Sequence, residues 1–141
     1  MGPSDPTFTG GCMCGAVRFE AYGAVRDVGY CHCESCRRHT GAPLVAYVGV
    51  AADQVRFSGA PRARYRSSPA VERAFCPECG TSLTWEGVTQ TSGVKVIEFH
   101  ISTLDHPERF KPEEHTRYDE RISWLEVADD LPRHRSVSND P

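Results

Sequence analysis

The chain has 141 residues, 39% of them hydrophobic and 25% charged, with a formal net charge of −3 at neutral pH. That size fits one domain with a core of its own, so disulfides are not needed to hold it together. The acidic balance argues against a dedicated nucleic-acid binder, which usually carries a basic excess. No apolar run approaches the ~20 residues needed to span a bilayer.

From the N-terminus, Met1 to Phe8 shows no basic region followed by an apolar run, so no secretory leader is expected. The expectation is a cytoplasmic protein with no membrane partner. In a reducing compartment, closely spaced cysteines read as metal ligands or catalytic groups. Short alternating or apolar runs follow, broken by Gly and Pro. They are Val17 to Ala21, Leu44 to Val50, Val55 to Phe57, Ala63 to Arg66, Val71 to Phe75, Leu83 to Trp85 and the β-branched stretch Val94 to Ile101. This pattern predicts a mainly β domain. Two short helical turns are predicted, at Glu34–His39 and at His106–Phe110, where Asp105 is placed to cap and Pro107 to sit first in the turn. One domain is expected over 1–132. Residues 133–141 have almost nothing to bury and read as a mobile tail.

All seven cysteines fall in three clusters: Cys12-Met13-Cys14-Gly15, Cys31-His32-Cys33-Glu34-Ser35-Cys36 and Cys76-Pro77-Glu78-Cys79-Gly80. A Cys-x-x-Cys turn closed by Gly lets two sulfurs converge on one metal. On a strand, Cys12 and Cys14 point to one face and share a metal in the same way. Two such pairs make a closed four-thiolate structural site. Three further sulfurs, from Cys31, Cys33 and Cys36, leave a fourth position open, which is the usual mark of a catalytic zinc. Spacing does not fix the partition, since Cys31 and Cys33 can equally pair with Cys76 and Cys79. One four-thiolate site plus three spare thiols is the plainer reading.

With these clusters, the stretches Arg37-Arg38, Arg73-Ala74-Phe75, Ser67-Ser68-Pro69 and Leu104-Asp105-His106-Pro107-Glu108, and then His115, Trp124 and Asp130-Leu131-Pro132, the chain resembles the glutathione-dependent formaldehyde-activating enzyme family, also called the centromere protein V family. The likeness runs over roughly residues 8 to 133. It implies an Mss4-like fold of small, bent antiparallel sheets organised around zinc. It also implies two Zn²⁺ per chain, a structural one on Cys12, Cys14, Cys76 and Cys79 and a catalytic one on Cys31, Cys33 and Cys36. The activity implied is that of a carbon–sulfur lyase or its reverse, thiol–aldehyde adduct formation of the S-hydroxymethylglutathione type. Glutathione or another small thiol would be co-substrate. Fold and site transfer within a family further than substrate does.

Around the open site, His39 is the proton-transfer candidate. Arg37 and Arg38 are candidates to bind a substrate carboxylate or offset the site's negative charge, although a solvated basic turn explains them as well. His32 lies between two ligands and is expected to point away from them. His100 is expected to be a satisfied core or edge residue, and Trp85 and Trp124 core aromatics. Arg62, Arg64 and Arg66 alternate on one strand face, either as an anion patch or as an ordinary solvated stripe. The expected partner is a small thiol or thiol conjugate, with no nucleic acid. The alternative function is a non-catalytic zinc module for protein or chromatin interaction.

Overall fold

The computed structural model describes residues 5–89 and 93–136. It is mainly β. Strands β1 (Phe8–Gly11), β2 (Val17–Ala21) and β5 (Val55–Gly59) form an antiparallel sheet in the order β1-β2-β5. The second sheet has seven strands. It contains β3 (Asp27–Cys31), β4 (Val45–Ala51), β6 (Ala63–Ser68), β7 (Val71–Phe75), β8 (Ser82–Val88), β9 (Lys95–His100) and β10 (His115–Thr116), in the order β10-β3-β4-β9-β8-β7-β6. Its pairings are antiparallel except β10 with β3. The larger sheet is therefore wider and more mixed than a set of small antiparallel sheets. The parallel join arises because the chain leaves β9 and crosses a long connection before returning beside β3.

The alternation in the strands decides which face is core. In β2, Val17, Phe19 and Ala21 are buried while Arg18 and Glu20 face outward. Phe19 stacks on Phe99 of β9 at 4.2 Å between ring centroids, and Phe8 packs edge-on to both. Val28, Val48, Val50 and Ile97 complete this apolar layer between the two sheets. Because side chains alternate at period two, the other face of the seven-stranded sheet carries Asp27, Cys31, Tyr47, Glu98 and His100. The single α-helix among the described residues, α1 (Glu34–Thr40), connects β3 to β4.

Several expectations meet a different outcome. Asp105 does not cap the turn at Pro107–Arg109. Its carboxylate takes two hydrogen bonds from Arg18 and one from Thr9, which tie β1 and β2 to the later chain. Trp124 is 72% exposed and is no core aromatic, whereas Trp85 is half-buried. The expected loose tail is held down as far as Ser136. Arg133 binds Asp129 and the Val127 and Leu131 carbonyls, His134 pairs with His115 through the backbone, and Ser136 binds Asp119 and Glu120. The rest of that predicted tail, 137–141, lies outside the described residues.

The arginine stripe is neutralised from within. Arg62 makes a two-pronged pair with the buried Glu86, 2.8 Å to each oxygen, and lies over the Phe57 ring at 3.7 Å. Arg64 and Arg66 sit near Glu72. Burial raises the Glu86 carboxyl, but hydrogen bonds from Arg62 and Thr84 overcome this and leave it below its ordinary value. A depressed carboxyl pKa gives stability that is present above its unfolded value near 4.5 and is lost as pH falls through the folded one. Removing one partner of a buried pair costs about 3 kcal/mol. Arg62→Ala should therefore lower the urea-unfolding free energy at pH 7 by about that amount. It should also flatten the fall in stability below pH 4.5 relative to the parent protein.

Candidate metal centres and the polar sheet face

The first cysteine pair sits in a turn, not on a strand. β1 ends at Gly11, and the Gly15 N–H closes back on the Cys12 carbonyl at 3.1 Å. The turn brings the Cys12 and Cys14 sulfurs to 3.6 Å, and Cys14 lies 3.8 Å from the Cys76 sulfur. Gly80 closes the second pair with φ of 78°, a left-handed conformation that a side chain would strain, and its N–H bonds the Cys76 carbonyl. The Met13 N–H donates to the Thr81 hydroxyl and fastens one turn to the other. All four sulfurs lie within 4.8 Å of one another. A tetrahedral ion with bonds of ~2.3 Å needs its sulfurs roughly 3.8 Å apart, so the set suits zinc. N–H groups of Val17, Glu78 and Cys79 already point at sulfur, as they would at thiolates.

The second group forms where β3 ends and α1 begins. Cys31 is the last residue of β3. Cys33 is the N-cap of α1, extended at φ −68° and ψ 154°, and its sulfur accepts the Cys36 N–H at 3.3 Å. Cys36 follows in the first turn. The three sulfurs lie within 4.8 Å of one another and are buried with Val45 and Tyr47. Hydrogen bonds from Cys31 and Cys36 hold the Cys33 thiol far below its usual range, while Cys31 is pushed up and Cys36 rises to about 11. One sulfur ionises readily and its neighbours then resist. A divalent cation removes that resistance, so the donor set fits zinc here too. Three ligands leave one coordination position for a further group.

The cation beside these sulfurs is neither Arg37 nor Arg38. Arg37 donates to the His32 and Glu120 carbonyls, and Arg38 pairs with Glu34 on the outer side of α1. With Trp124, Ile122 and Pro43, these arginines line an open cleft of about 570 Å³. Arg73 takes the inner place. It is 3% exposed, and its Nη1 donates to the Cys36 sulfur at 3.4 Å. Its signal in the sequence is an arginine at the centre of the short strand Val71 to Phe75, between Glu72 and Ala74.

The sheet register aligns further polar groups near this site. Asp27 of β3, Gly49 of β4 and Glu98 of β9 form one row, continued by Trp85 and Arg73. A Cβ on Gly49 would lie 2.0 Å from an Asp27 oxygen, so glycine is what lets Asp27 and Glu98 meet. Burial, reinforced by the Asp27 charge, pushes the Glu98 carboxyl well above its ordinary value. His39 is half-buried on α1, one turn beyond Cys36. His32 is buried and points away from the sulfurs, into a hydrogen-bonded chain. Its Nε2 is 2.8 Å from His115 Nδ1, and His115 Nε2 is 3.0 Å from Asp129. With Asp129 accepting from His115, the remaining His115 nitrogen accepts from His32, which fixes the segment between two sulfurs.

If the two groups are separate centres, they separate by mutation. Cys33→Ser should lower bound zinc from two per chain to one, measured by metal analysis of purified protein, with the far-UV spectrum retained. Loss of both ions would show that the sulfurs act as one unit.

Over 78 residues the chain is 33% identical to an uncharacterized lyase of Schizosaccharomyces pombe, a match covering 55% of this chain. The chain spans 56% of that relative's length. In fold it is similar to a crystallised Rhodobacter sphaeroides protein, with a TM-score of 0.53 at 18% identity over 89% of this chain and 98% of the other. The profile of the glutathione-dependent formaldehyde-activating enzymes matches residues 7–120, and the chain belongs to that family.

Proposed function

We propose that the protein is a zinc-dependent carbon–sulfur lyase, working also in the direction of thiol–aldehyde adduct formation, with glutathione or another small thiol as the sulfur partner. The observation that carries this reading is the set of three sulfurs buried beside Arg73, with one coordination position unfilled by protein. Family membership and the lyase relative support enzymatic activity of this type. Zinc held by Cys31, Cys33 and Cys36 would supply a place where a thiol loses its proton and where a departing thiolate is stabilised.

The chain's own residues do the rest. Three thiolates on a dication leave one negative charge, and the Arg73 guanidinium offsets it at hydrogen-bond range. Tyr47 and Val45 pack against the sulfurs and keep water from them. The helix α1 holds the Cys33 and Cys36 sulfurs through its first turn, and His115 with Asp129 steadies His32, between Cys31 and Cys33. A nucleic-acid module finds less support, because Arg62, Arg64 and Arg66 are answered by Glu86 and Glu72.

The test is exchange between ¹³C-formaldehyde, glutathione and their adduct, followed by NMR on the zinc-loaded protein. Catalysed exchange that Cys33→Ser abolishes is the expected result. Arg73→Leu should lower the rate by at least tenfold, because an uncompensated charge is left buried. Exchange no faster than in buffer, for glutathione and for a panel of other small thiols, would overturn the proposal.

A further inference from the structure

His100, at the end of β9, is 7% exposed, and neither ring nitrogen has a hydrogen-bond partner among the described residues. This differs from the expectation of a satisfied core histidine. A buried imidazole with two unanswered polar atoms is costly, and such groups ordinarily have a partner or a function. His39 has the same defect at one atom. Its Nε2 is buried and unpartnered, while its backbone hydrogen bond at Ala74 favours the protonated form, as donation to a carbonyl does. That bond occupies the other nitrogen with a proton and leaves Nε2 as a lone pair. The two rings are 5.5 Å apart between centroids and tilted by 54°. Three buried nitrogens on two adjacent rings are thus without a partner among the described residues.

The place of this pair is informative. His100 is directly opposite Tyr47 in the sheet register, and Tyr47 packs with Cys31, Cys33 and Cys36. His39 is three residues beyond Cys36 on α1, so the two share a helix face. Arg73, which touches the Cys36 sulfur, lies close enough to disfavour a charge on either ring. Burial, and then His39 and Arg73, lower the His100 pKa to about 3. Both rings are therefore neutral at pH 7, offering one N–H donor and lone-pair acceptors. That is the complement of a hydroxyl or carbonyl oxygen, and not of a carboxylate or phosphate.

We propose that His39 and His100 bind the oxygen on the carbon that carries the substrate's sulfur. This rests on the reading of the three-sulfur site given above. His100 donates its N–H to that oxygen. In the lyase direction the hydroxyl proton passes to His39 Nε2 as the C=O bond forms. The C–S bond breaks, and its electron pair leaves with sulfur as thiolate. In the reverse direction thiolate attacks the carbonyl carbon and the oxygen takes the proton back from His39. No oxidant or reductant is needed. The substrate class is then an α-hydroxy thioether, the adduct of a thiol with an aldehyde.

The pair can be tested by binding alone. Cadmium-loaded protein is titrated with ethanethiol and with thioacetate, which carries an oxygen on the carbon bonded to sulfur, and sulfur-to-metal absorption is followed. His100→Phe should lower the affinity for thioacetate relative to that for ethanethiol roughly three- to tenfold, the range expected for one hydrogen bond. His100→Gln, which keeps a donor, should restore part of that ratio and serves if the Phe variant does not hold its metal. A ratio untouched in either variant would overturn the role of the pair while leaving the thiol site standing. If neither thiol changes the absorption, the thiol reading of the open site fails and this inference falls with it.

Discussion

Three sulfurs converge at the junction of β3 and α1, and much of the surrounding structure answers the electrostatic problem they set. Thiols so close can ionise together only if positive charge is near, and burial removes the help of water. The chain brings one cation of its own, Arg73 on β7, from four strands beyond β3 in the sheet, and leaves room for a second from solution. Arg73 in turn needs a position on the same face as Cys31. Only the order β3-β4-β9-β8-β7 with its observed register supplies it. A shift of one residue in any of these pairings would turn the guanidinium into the apolar layer.

The seven-stranded sheet thus divides its labour by face. One side is ordinary core, where Phe99, Ile97 and Val48 meet the small sheet through Phe19 and Phe8. The other carries cysteines, tyrosine, histidine and paired carboxyls, roofed in part by α1. An arrangement of this kind is costly in a 141-residue chain, since polar groups occupy positions that apolar ones could fill. The group of Cys12, Cys14, Cys76 and Cys79, with an ion bound, would offset that loss. It links the turn after β1 to the turn after β7, segments 62 residues apart in sequence, without needing a larger core.

The strand character of the chain and the three cysteine groups are plain in the sequence, because alternation and Cys spacing are local signals. β3 and β10 are not. Asp27-Val28-Gly29-Tyr30-Cys31 holds an acid and a glycine that read as turn chemistry, and His115-Thr116 is too short to show a period. The same limit applies to the site. His39 is visible because it follows a ligand in sequence, but Arg73, Tyr47 and Glu98 are brought there by pairing between strands, which no spacing encodes. Arg37 and Arg38 adjoin Cys36 in sequence, but a helix turns successive side chains by about 100°, so Arg37 bonds the His32 and Glu120 carbonyls while Arg38 pairs with Glu34.

The buried histidines fall into two pairs. His32 and His115 are joined to each other, and the chain through Asp129 and Arg133 fixes their orientation, with His32 Nδ1 left unanswered. Such a chain resists motion, which suits residues that frame a metal centre. His39 and His100 pack with ring centroids 5.5 Å apart, and three of their nitrogens are buried without a partner among the described residues. Stability alone would favour an apolar pair at these two positions, because satisfying nothing costs more than replacing both rings. A ligand that brings its own donor and acceptor gives the polar pair an advantage, and a hydroxyl on the carbon beside sulfur is such a group.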